Sequence, residues 1–90
     1  MTEAQQAAIN HFIDADVGRL SSLIWEHWQL TGKVPAHDKP IEWERRPLIA
    51  SWYDNLTKNA AVLGIDSAEI DRRLTLLLGQ PFKLKEFRKV

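Results

Sequence analysis

Cysteine is absent from this 90-residue chain. That excludes a disulfide scaffold, a thiol nucleophile and a Cys-based zinc site, and it suits a reducing cytoplasm. Glycine and proline number only four each. The glycines are scattered, so no Gly-rich loop is available to cradle a phosphate. Long apolar runs are missing too. The longest run of large aliphatics is Leu76–Leu78, far short of the ~20 residues a membrane span needs. The opening MTEAQQAAIN lacks the basic start and apolar stretch of a secretory signal, so a cytoplasmic location without membrane contact is expected. An excess of either charge is lacking as well: 12 basic residues balance 12 acidic ones. The balance is uneven along the chain. Residues 1–45 hold seven acids and four bases, residues 46–90 five acids and eight bases. The basic half keeps nucleic acid among the partners to consider.

What is present is a globular composition, 44% hydrophobic and 27% charged, in a length that holds one core and hence one domain over 1–90. Thr2 and Gln5 have capping-box spacing. Behind them Ile9, Phe12, Ile13, Val17, Leu20, Leu23, Ile24 and Trp28 recur on one helical face, in phase across Gly18, which predicts one long helix to about Leu30. The alternative is a break near 14–18. Residues 31–40, TGKVPAHDKP, read as a loop. IEWERR then starts a short helical turn, and Pro47 forces a kink or restart at Arg46. Leu48, Ile49, Trp52, Tyr53, Leu56, Ala60 and Leu63 form the next apolar face, ended by Gly64. Asp66 and Glu69 open a third helix whose stripe is Ile70, Leu74, Leu77 and Leu78, stopped by Gly79. The tail 80–90 reads as an extended arm lying on the helices. The predicted fold is all-α: a small bundle of three main helices plus one short helix, with an extended C-terminal arm.

Residues 57–79 resemble the helix-turn-helix of Fis/NtrC-type bacterial regulators through Ala60, Leu63, Gly64, Ile65, Ile70, Arg72, Arg73 and Leu74. The resemblance implies DNA binding with the second helix in the major groove. Its nucleic-acid contacts would be Ser67, Arg72 and Arg73, joined by Lys83, Lys85, Arg88 and Lys89 of the basic tail. The apolar matches, however, are what any corner between two packed helices needs. On the outward face Asp66, Glu69 and Asp71 oppose the two arginines, and acids there work against phosphate binding. The spacing from Trp28 to Pro35, followed by Ser51–Trp52–Tyr53, is also similar to the small theta subunit of bacterial DNA polymerase III. That resemblance implies a protein that works by binding another protein.

Four tryptophans are many for so short a chain. Trp28 and Trp52 fall on apolar faces and read as core. Trp25 lies well round the first helix from its stripe, and Trp43 stands between two glutamates beside the loop. Exposed tryptophan and arginine are the residues that most often anchor a partner. The predicted partner-binding set is therefore Trp25, Trp43, Arg45 and Arg46, with His37 and Lys39 of the loop. His27 and Asp16 fall near the centre of the first helix's stripe. His11, His27 and His37 lack metal-ligand spacing, and no catalytic constellation or substrate cleft is visible. The expected function is a non-enzymatic helical module, without cofactor, metal or small-molecule substrate, that binds another protein as an accessory or inhibitory factor of a bacterium or phage. The alternative is a DNA-binding regulator. Homodimerisation through the apolar excess is compatible with both.

Overall fold

The computed structural model describes residues 2–35 and 45–88. Three helices make the bundle: α1 (Glu3–Leu30), α2 (Arg46–Val62) and α3 (Ser67–Leu78), followed by a 3-10 turn at Leu84–Glu86. The fold is all-α, as the sequence predicts.

The local chemistry explains each boundary. Thr2 Oγ1 accepts from the Gln5 amide at 3.1 Å while the Thr2 amide donates to Gln5 Oε1 at 2.9 Å, a reciprocal cap for two otherwise orphaned amides. α1 runs unbroken through Gly18, whose carbonyl also accepts from the Ser21 and Ser22 hydroxyls at 2.7 and 3.2 Å. α2 begins at Arg46 with Pro47 in its first turn, where proline's missing amide costs nothing. The short helical turn expected over 41–46 lies outside the described residues apart from its last two, and Arg46 already belongs to α2. Between α2 and α3 the chain reverses at Gly64, whose φ of +77° is open to glycine and strained for other residues. Asp66 then caps α3 by accepting from the Glu69 amide at 3.0 Å.

Directions follow from the side-chain pairs. Glu26 near the end of α1 meets Arg45 at the start of α2, at 3.0 Å, so these helices are antiparallel. Asp14 meets Arg73 at 2.8 Å and Trp25 shares a cleft with Leu77, so α3 runs alongside α1 in the same sense. At ~1.5 Å per residue the 28-residue α1 sets the 45 Å long axis. Its shorter neighbours lie against it on two sides. The core joins Ile13, Val17, Leu20, Ile24 and Trp28 of α1 to Ile49, Tyr53, Leu56 and Ala60 of α2 and to Ile70, Leu74 and Leu78 of α3.

Four residues expected in the core are outside it: Phe12 is 66% exposed, Leu77 60%, Leu48 41% and Trp52 39%. Each sits about one residue step, ~100°, from the buried neighbour that follows it (Ile13, Leu78, Ile49, Tyr53). A three-helix arrangement covers only the narrower stripe. Asp16, placed on the stripe by periodicity, lies at its edge with a partly exposed carboxylate paired to Arg19.

The tail is also more structured than an extended arm. It turns at Leu84–Glu86 and drives Phe87 into the core at 2% exposure. Phe87 lies edge-on to His27 (5.2 Å between centroids) and stacks with Phe82 at 5.8 Å. Phe82 in turn stacks on Tyr53 at 5.3 Å. Glu86 accepts from Trp28 Nε1 at 2.7 Å. Lys33 lies 3.5 Å from the same carboxylate and 4.3 Å above the Trp28 ring. The segment covers the aromatic rings of Trp28 and Tyr53 and the His27 ring that the three helices leave open.

Candidate functional site: an apolar seam between α1 and α3

Along the α1–α3 seam lie two adjoining clefts. One, of about 390 Å³, is bounded by Ser21, Ser22, Trp25, Glu26, Leu77 and Leu78. The other, of about 260 Å³, is bounded by Asp14, Val17, Arg73, Leu76 and Leu77. Leu77 belongs to both. Buried Val17 and Leu78 form the floor, while Leu76 is 69% exposed. Trp25 stands at one end, its ring edge-on to Trp28 with centroids 6.2 Å apart, so packing limits its freedom before any partner arrives. The rim is closed electrostatically: Asp14 pairs with Arg73 at one end and Glu26 with Arg45 at the other.

Of the partner-binding residues read from the sequence, Trp25 and Arg45 come to the same end of the bundle through Glu26. Arg46 opens α2 close enough to His27 for its charge to depress that imidazole's proton affinity. Trp43, His37 and Lys39 lie outside the described residues. Sequence reasoning put Leu77 in the core and left Leu76 off the stripe without assigning it to a binding surface; both are exposed. The signal was there: three consecutive leucines span roughly 200° of a helix, more than a three-helix core covers.

The nucleic-acid residues of the alternative reading are differently placed. Ser67 begins α3. Arg72 grips Glu69 with two bonds, 2.8 and 2.6 Å long. Arg73 donates to Glu69 at 3.1 Å and to Asp14 at 2.8 Å. These bonds hold the Glu69 carboxyl down at about 2, so both arginines face a carboxylate at any ordinary pH. Arg88 pairs with Asp54. Lys83 and Lys85 are exposed on the tail, and Lys89 lies outside the described residues. A further cleft, of about 240 Å³, opens on the α1–α2 side between the Asp16–Arg19 pair and Trp52, Asn55 and Asn59. Among the described residues no group of three or more His, Asp or Glu is placed to hold a metal, and no helix is long and apolar enough to cross a membrane.

Fold and surface together define a small all-α bundle with an apolar seam along one side. No family model, curated protein or solved structure matches the chain.

Proposed function

We propose that this protein is a non-enzymatic binding module whose α1–α3 seam receives apolar side chains of a partner protein. One observation carries the reading: Trp25, Leu76 and Leu77 stand exposed around two continuous clefts, with Leu77 common to both. Isolated surface leucines are ordinary, but exposed leucines at two joined clefts, the Leu76 cleft apolar and the Trp25 cleft mixed with Ser21, Ser22 and Glu26, with a packed tryptophan at the end, are the pattern of an interaction surface. The ion pairs at its ends leave the rim close to neutral, so burial rather than charge would supply the affinity. An accessory or inhibitory factor fits this reading.

DNA binding is the second reading, supported by the α2–Gly64–α3 corner. Against it stand the acids that already engage Arg72 and Arg73, because phosphate neutralisation is the main source of DNA affinity.

The test is affinity capture from nuclease-treated lysate with the wild-type chain and with Leu77→Asp, a change at a 60% exposed side chain whose helical fold is checked first by circular dichroism. The expected result is a protein retained after nuclease digestion and lost with Leu77→Asp. A duplex-DNA complex that survives Leu77→Asp, weakens steeply with salt and is lost on replacing Arg72 and Arg73 establishes the second reading instead. Light scattering of the chain alone distinguishes a partner protein from a second copy.

A further inference from the structure

His27 is 2% exposed, and its surroundings suit only an uncharged ring. Nδ1 is buried without a hydrogen-bond partner. Nε2 lies 4.0 Å from Glu86 Oε1, beyond hydrogen-bond reach, and that oxygen already accepts from Trp28 Nε1. Phe87 packs against the ring in a T-shaped contact, 5.2 Å between centroids. A protonated imidazole has two N–H donors, and neither finds an acceptor here. The charged groups around it do not reverse this. Glu86 of the tail favours the proton; Arg46 of α2 and Lys33 after α1 oppose it, and burial opposes it more than any of them.

What lies over His27 is the chain's last described segment, which side chains hold far more than backbone does. The Phe82 amide donates to Thr75 Oγ1 at 3.1 Å. The other backbone bonds of the segment, from Glu86 to Lys83 and from Phe87 to Leu84, are internal to it. A segment with few bonds to the rest is a natural unit of local opening. We propose that residues 82–88 form an acid-released latch, seated while His27 is neutral and detached when His27 takes a proton. Release hydrates the imidazolium and uncovers the Trp28 and Tyr53 rings, and α1, α2 and α3 stay packed on one another. The device is independent of what the α1–α3 seam binds.

The sign is fixed by burial. Since the folded ring holds its proton less readily than the free side chain, closure of the latch is at full strength above the free value, about 6.5. It weakens as pH falls through that value towards the lower folded one. One proton is coupled to opening, so the open fraction rises by up to about tenfold per pH unit inside that window. Amide hydrogen exchange at about pH 7.5 and about pH 5.5, corrected for intrinsic rates, reads this directly. The expected result is a fall in protection of up to about tenfold confined to residues 82–88, with the core amides of α1 and α3 unchanged. In His27→Gln, and in His27→Phe should the first variant not fold, the tail's protection no longer depends on pH over this range. Equal tail protection at both pH values in the wild type overturns the proposal. So does a loss shared equally by the helices, or a pH response that survives either substitution.

Discussion

Replacing Phe87 by alanine deletes the ring that closes the bundle. That side chain is 2% exposed and lies against His27 and Phe82. A buried aromatic removes roughly 150–250 Å² from water. At about 25 cal/mol per Å² this corresponds to about 4–6 kcal/mol, an upper figure because a denatured chain keeps part of the surface covered. Phe→Ala truncations in cores cost about 3–5 kcal/mol. At about 0.05–0.15 kcal/mol per residue, a chain of 90 residues holds on the order of 5–13 kcal/mol. The variant therefore loses a quarter to most of its stability, and its melting temperature falls by roughly 12 °C or more. The segment's few backbone bonds to the helices set a ceiling. If the tail lets go while the helices hold, the loss stops at the free energy with which the tail docks. Urea denaturation separates the two regimes. A global loss lowers the midpoint at constant slope, whereas a detached tail lowers the slope as well, because its surface is already exposed before unfolding. Phe12→Ala is the control: with Phe12 66% exposed, the change stays within about 0.5 kcal/mol. A Phe87→Ala loss below about 1 kcal/mol at unchanged slope would refute the claim that the tail belongs to the core.

Tyr53, the sole tyrosine, donates to Asp71 at 2.6 Å, and burial together with this bond raises its phenol well above the ordinary value. A folded value above the unfolded one means that this contribution is complete below about pH 10 and is lost as pH climbs beyond it. Tyrosinate absorbance is accordingly expected only as helical circular dichroism collapses; an ordinary titration with the helices intact contradicts the buried pair. The glycines give opposite signs. A Cβ at Gly64 or Gly18 meets nothing within 4 Å, so backbone conformation decides both. Gly64→Ala, forced to φ +77°, costs about 1–2 kcal/mol, whereas Gly18→Ala inside α1 gains about 0.5–1 kcal/mol. Thermal melts that move both variants the same way contradict the assignment.

Much of the fold was legible because its signals are local. The Thr2–Gln5 box, Pro47, Gly64 and Asp66 each act over one turn of chain, and they set the helix ends where periodicity sets the helices. Phase across Gly18 correctly favoured one continuous α1. The candidate site was legible only in part. Trp25 stood out because a large aromatic fell off an otherwise consistent stripe. Leu77 did not, since it lies one residue from buried Leu78 and a periodic pattern cannot say how wide a stripe the partners will cover.

The sequence by itself determined the three helices, their caps and the residues at the centre of each apolar face, because these depend on interactions between residues three or four apart. Tertiary structure alone decided which flank of each face was covered. It left the α1–α3 seam open beside Ser21 and Ser22, and it brought Phe87 back onto His27 across the bundle. Those outcomes depend on the lengths and directions of helices distant in sequence, and on a tail held by ring contacts that leave no periodic trace.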